Sequence, residues 1–215
     1  MSTVVLVRPG CTDFDEQNRI QGCLDIPLNK RGEEQVRKVV EELRSVSLDW
    51  IYTSPCEPAL SSATAIGAEL GIAVKELEGL RNLDQGLWQG LQVEDIRRKH
   101  PKVFKQWQES PETICPPEGE MVSEALERIR KSLEKPLRKD VSFAVVAPEP
   151  LATLIGYFVR GGKVDLTASV CCKTRPLCEF LKTNGRVPPG AHSEMSTTAA
   201  VAASVNGQIK DPQSH

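Results

Sequence analysis

The sequence predicts an α/β fold: a three-layer α/β/α sandwich on a mostly parallel sheet, with one antiparallel edge strand. Three observations lead there. Short runs of β-branched and aliphatic residues, over 3–7 and 141–147, stop abruptly at proline or glycine, as buried strands do. Stretches with apolar residues at helical spacing alternate with such runs, which implies parallel pairing with helices on both faces. A last run over 177–182 precedes Asn184-Gly185, the residues of a hairpin turn, and reads as an edge strand.

The elements follow in order. The first strand, Thr3-Val4-Val5-Leu6-Val7, runs into Arg8-Pro9-Gly10, a tight turn at its C-terminal end. In an open α/β sheet that end is where ligands bind. Val36, Val39, Val40 and Leu43 mark an amphipathic helix over 30–44. Asp49-Trp50-Ile51-Tyr52-Thr53 is a second strand, ended by Ser54-Pro55. An alanine-rich helix over 59–70 stops at Gly71. A third strand over 73–77 leads into a glycine-bearing loop over 80–90. Helices are expected over 93–107 and 121–137, around a proline-rich loop. The strand over 141–147 ends at Pro148-Glu149-Pro150, and a helix over 151–159 enters behind proline. One domain over 1–187 is expected. From Pro188 the composition shifts to Ala, Ser, Thr, Gly and Pro, which predicts a mobile tail over 188–215.

Composition narrows the function classes. The chain has 215 residues, 40% hydrophobic and 26% charged, as in an ordinary globular protein. A net charge of −2 argues against nucleic acid or an anionic membrane as partner. No apolar run approaches a membrane span, and Met1-Ser2-Thr3 leads straight into a strand, which predicts no secretion signal. Seven cysteines without framework spacing read as reduced thiols in a cytoplasmic protein.

Several motifs occur in a telling order. Arg8-Pro9-Gly10 is followed by Gln21-Gly22, then by Asp25-Ile26-Pro27-Leu28-Asn29-Lys30-Arg31-Gly32-Glu33-Glu34-Gln35. Further on stand Ser54-Pro55-Cys56-Glu57-Pro58-Ala59, Leu80-Arg81-Asn82-Leu83-Asp84-Gln85-Gly86-Leu87-Trp88-Gln89-Gly90, and Pro117-Glu118-Gly119-Glu120 with Arg128 downstream. Over residues 4–159 this resembles the histidine phosphatase superfamily, in its phosphoglycerate mutase-like branch. The resemblance implies that branch's fold and phosphoryl transfer through a phosphohistidine. In such chemistry one histidine is the nucleophile, two arginines and a second histidine hold the phosphate, and a glutamate protonates the leaving oxygen.

Carried over position by position, these roles fall on residues that cannot perform them. The nucleophile position is Pro9, the second arginine position Pro58, the acid position Asn82 and the second histidine position Pro148. Proline offers no side-chain donor, acceptor or nucleophile and no backbone N–H. Loss of a nucleophile alone costs about 10⁶-fold in turnover in a serine protease. The three histidines, His100, His192 and His215, lie at a helix end and in the tail. No catalytic residue, metal site or cofactor is therefore expected.

What remains is a set of ligand candidates: Arg8, Gly10, Thr12, Arg19, Gln21 and Gly22. Arg8 is either a weakened anion ligand, helped by the turn backbone at Gly10 and the Thr12 hydroxyl, or an arginine paired with a carboxylate such as Asp13 or Asp84. Arg19, Gln21 and Gly22 either line a pocket or pack a loop. Cys11, Cys23 and Cys56 fall on pocket loops under the resemblance; Cys171, Cys172 and Cys178 form a second group, read as buried thiols. Trp88 and Trp107 read as core, and Arg97-Arg98-Lys99-His100 as a helix C-terminus. The expected function is binding or scaffolding without phosphohistidine chemistry, with a protein partner or a weakly held phosphorylated metabolite. The alternatives are a repurposed phosphatase or mutase on a phosphate monoester, with Cys11 carrying new chemistry, and a weak phosphometabolite sensor.

Overall fold

A computed structural model describes residues 3–110, 113–139, 141–161, 166 and 176–181. Five strands form one sheet in the order β3-β2-β4-β1-β5. They are β1 (Val4–Val7), β2 (Trp50–Thr53), β3 (Val74–Glu76), β4 (Phe143–Val146) and β5 (Cys178–Leu181). The first four are parallel, and β5 pairs antiparallel with β1 at the edge. The architecture is the predicted sandwich.

The strand pattern explains the layers. Successive side chains of a strand point to opposite faces. Val4 and Leu6 of β1, with Phe143 and Val145 of β4, enter the core under α6 (Val122–Arg138) and α7 (Leu151–Arg160). Val5, Val7, Ala144 and Val146 enter the opposite core, under α2 (Lys30–Leu43) and α3 (Ala59–Leu70). Both faces are buried, so these strands read as continuous apolar runs rather than alternating ones. In α2 the predicted stripe Val36, Val39, Val40 and Leu43 is the buried one. Asn29 caps this helix by accepting from the Gly32 N–H at 2.9 Å.

Two helices depart from expectation. The stretch over 93–107 forms α4 (Val93–Lys99) and α5 (Pro101–Glu109) rather than one helix. Pro101 excludes helical backbone at the residue before it, and His100 sits at φ −132°, ψ 57°. A one-turn helix that the pattern did not announce, α1 (Asp13–Glu16), follows the first turn and is closed by a Thr12–Asp15 capping box. Trp88 and Trp107 pack edge to face at 5.8 Å in a third cluster with Ile96 and Phe104. Among the described residues no helix is long and apolar enough to cross a membrane. The hairpin turn at Asn184-Gly185, the tail over 188–215, Cys171, Cys172, His192 and His215 lie outside the described residues.

One packing contact explains two motif glycines. The turn after β1 lies directly on the start of α2: a Cβ at Gly10 would stand 2.3 Å from the Gly32 carbonyl oxygen, and one at Gly32 2.2 Å from the Cys11 carbonyl oxygen. Backbone here meets backbone, which cannot swing aside. Gly32→Ala should therefore lower stability by about 1–3 kcal/mol, as overpacking does. Urea unfolding checks this; an unmoved midpoint would contradict the contact.

Candidate functional site

Register places three loops at the C-terminal edge of the parallel strands. Val7 lies opposite Val146, and Thr53 opposite Val146 on the other side. The loops beginning at Arg8, Ser54 and Ala147 therefore emerge side by side. They frame a cleft of about 100 Å³. Pro9, Pro58, Pro148 and Pro150 all line it. So do the candidates Arg8, Gly10, Arg19, Gln21 and Gly22, but not Thr12 or Asn82.

Arg8 carries the electrostatics and is 6% exposed. Its Nε donates to Glu149 Oε1 at 2.7 Å, and the Glu149 side chain is 3% exposed. Its terminal nitrogens reach Glu179 Oε2 at 3.4 Å, and Nη1 also donates to the Pro176 carbonyl at 3.1 Å. The expected carboxylates, Asp13 and Asp84, are not the partners. The reason is topological: β4 lies beside β1, so Glu149, three residues past its end, faces Arg8. On the other side β5 brings Glu179 opposite Leu6.

Glu149 is held as an anion should be. Its second oxygen accepts from the Thr153 hydroxyl at 2.7 Å and the Thr153 N–H at 3.3 Å, in the first turn of α7. A helix N-terminus favours negative charge. Glu179 also pairs with Arg160. Burial pulls the Glu179 carboxyl up, but Arg160 and Arg8 outweigh burial and hold it below its ordinary value.

The turn amides have internal acceptors. Pro9 has no N–H. Gly10 donates to Ser62 Oγ at 3.2 Å, Cys11 to Gln35 Oε1 at 2.8 Å and Thr12 to Asp15 Oδ2 at 2.7 Å. The Thr12 hydroxyl donates to Asp15 as well, at 2.9 Å. The expectation that Gly10 and Thr12 offer donors to a bound anion is thus corrected: both are occupied within the scaffold, and Thr12 is fully buried.

The remaining candidates brace loops. Arg19 donates to the Gly90 carbonyl at 2.7 Å, and Gln21 to the Glu57 carbonyl at 2.7 Å. Gly22, at φ 58°, takes a left-handed turn that favours glycine. Its carbonyl accepts from Asn82 Nδ2 at 2.8 Å, and that same nitrogen reaches the Glu149 carbonyl at 3.1 Å. Asn82 is a tie beneath the cleft. Arg128 holds the same loop through the Gly79 and Asn82 carbonyls and pairs with Glu120 at 2.7 Å. Sequence reasoning missed Glu149, Glu179 and Gln35 as partners of the site. Gln35 stood inside a quoted motif, and Glu149 stood between two prolines at a strand end, so the signals were present without their spatial meaning.

The thiols do not resemble activated nucleophiles. Burial, more than the Asp15 charge, pushes the Cys11 thiol up. Burial and then Asp84 push Cys23 from 9.0 up to about 12; its Sγ donates to the Asn82 carbonyl at 3.2 Å. Cys178 is buried as expected. Among the described residues no three histidine, cysteine, aspartate or glutamate side chains gather as metal ligands.

A mostly parallel α/β sandwich with its cleft at this strand edge defines the class. The profile of the histidine phosphatase superfamily (branch 1) matches residues 4–153, and the chain belongs to that family. Phosphoserine phosphatase 1 of Hydrogenobacter thermophilus is 30% identical over 146 residues, covering 68% of this chain and 69% of the relative. An uncharacterized phosphatase, PhoE, of Bacillus subtilis is 37% identical over 101 residues, covering 47% and 52%. A mycobacterial glucosyl-3-phosphoglycerate phosphatase with VO3 superposes with a TM-score of 0.71 at 25% identity, covering 78% of this chain and 84% of that one.

Two measurements check the site. Arg8→Met should cost about 3–5 kcal/mol in urea unfolding, since it strands a buried carboxylate. Glu149→Leu should cost less, because Glu179 remains beside Arg8, and the double variant should lose clearly less than the sum. Strict additivity would mean that the pair is not coupled. Alkylation of Cys23 by iodoacetamide at pH 8, mapped by mass spectrometry, should run about a thousandfold slower than free cysteine, the ratio of thiolate for 9.0 against about 12.

Proposed function

We propose that this chain is a histidine phosphatase-fold protein without phosphohistidine chemistry, whose cleft and surface serve binding or scaffolding. One observation carries the reading: the Arg8 guanidinium is held by carboxylates of the same chain. A phosphate ester arriving at Arg8 would have to displace Glu149 from a buried, charge-matched seat, at a cost no single remaining group offsets. Among the described residues no histidine lines the cleft. Pro9, Pro58 and Pro148 supply neither nucleophile nor donor, and Asn82 has no acidic proton to give.

A second reading, a repurposed phosphatase acting on a phosphate monoester, draws on the three relatives described above, each of which is named a phosphatase. Against it stand the raised Cys11 and Cys23 thiols and the occupied turn amides. The same amides weigh against a phosphometabolite sensor at Arg8 and leave a protein partner as the favoured one. The free thiols of Cys11, Cys23, Cys56, Cys115 and Cys178 fit a reducing compartment, hence the cytoplasm.

The test has two arms. The purified chain, assayed with p-nitrophenyl phosphate and phosphoserine, should release no phosphate above the protein-free rate. Activity abolished by Arg8→Ala would overturn the proposal. In calorimetry, Glu149→Ala should bind inorganic phosphate at least about tenfold more tightly than the unaltered chain, because it frees the guanidinium for an outside anion.

A further inference from the structure

Among the described residues Gln85 is the one buried side chain of the cleft whose polar atoms the scaffold leaves unmatched. It lines the cleft, is 1% exposed, and neither its amide nitrogen nor its amide oxygen has a hydrogen-bond partner. A buried amide left unmatched costs about 1–3 kcal/mol for each group. Native structures seldom keep such a group without a reason. The backbone around it is tightly held: the Gln85 carbonyl accepts from Trp88 N–H at 2.9 Å, Gly86 N–H donates to Asp84 Oδ1 at 2.8 Å, and Leu87 N–H donates to the Pro117 carbonyl at 2.9 Å. The loop therefore fixes the backbone that carries the amide.

The cleft also limits what can meet it. Arg8 is matched by Glu149 at 2.7 Å, and Arg19 by the Gly90 carbonyl at 2.7 Å and Gln17 Oε1 at 2.8 Å. Lining charges are Arg8 and Arg19 against Asp15 and Glu149, which cancel. The proline rings, Val93 and Trp107 give apolar walls. A cavity of about 150 Å³ holds benzene, so 100 Å³ suits about four heavy atoms, a carboxamide and the carbon that bears it. An amide is answered best by a group with one donor and one acceptor side by side.

We infer that the cleft binds a small uncharged carboxamide, read by the Gln85 side chain and seated between proline rings. This rests on the reading of the cleft as closed to anions. The test uses the full ¹⁵N-labelled chain titrated with propionamide, with propionate and inorganic phosphate as controls. Propionamide should shift the Gln85 side-chain amide resonances saturably. Gln85→Leu should weaken binding at least about tenfold, since it removes both hydrogen bonds, and should unfold in urea no earlier than the unaltered chain. Propionate should bind at least about tenfold more weakly than propionamide, as burying a carboxylate without a cation is penalised. The inference falls if propionamide leaves Gln85 unmoved, as for an amide satisfied by trapped water, or if Gln85→Leu binds equally well. Failure with phosphate also silent overturns this inference alone; phosphate binding at Arg8 overturns the anion-closed reading beneath it.

Discussion

The buried contact between Arg8 and Glu149 is the constraint on which the rest of the site depends. A guanidinium that is 6% exposed must be answered by negative charge, and β4 delivers the answer. Once Glu149 is committed, other parts follow. Thr153 ties its second oxygen to α7, Asn82 ties its carbonyl to the Gly22 loop, and Glu179 ties the edge strand to the same guanidinium. Loops from three separate elements are thereby joined through one ion pair. Such a pair adds little net stability over a well-packed apolar replacement, but it penalises every arrangement that leaves one partner alone. It specifies the loop geometry more than it strengthens it.

The retained motif residues share a property. Gly10 and Gly32 allow two backbones to meet, Gln35 holds the Cys11 amide, Gly22 turns a loop, and Arg128 binds three carbonyls of the loop below. Each supports backbone. The positions carrying proline or asparagine are those to which the resemblance assigns contact with phosphate. The first set is needed for folding whatever the cleft does, since losing a backbone brace destabilises the fold.

Much of this was legible in the sequence because it follows local rules. β1 and β4 read as continuous apolar runs since both faces are covered, and α2 as a four-residue stripe at helical spacing. The break at His100-Pro101 was legible too, through proline's effect on its predecessor, but the apolar pattern on either side masked it. The partner of Arg8 was not legible. Arg8 and Glu149 are 141 residues apart, and their meeting depends on strand order, which no local pattern encodes. Asp13 and Asp84 were nearer in motif terms, yet Asp84 turns inward to receive the Gly86 amide. Gln85 was invisible for a different reason: an unmatched amide is defined by everything around it, not by its neighbours in sequence.

Charge and shape have separated in this cleft. Four proline rings line the cleft, and a proline ring has little torsional freedom with which to fold into it. The cleft lies between them, and its two arginines stand against Asp15 and Glu149. Charges balanced in this way pull on a phosphate less than an unpaired arginine would. Hydrogen-bond pattern is the other property it can discriminate, and the one buried unmatched pattern on its walls among the described residues is the Gln85 amide. If selectivity survives here, it has passed from charge to a single donor–acceptor pair.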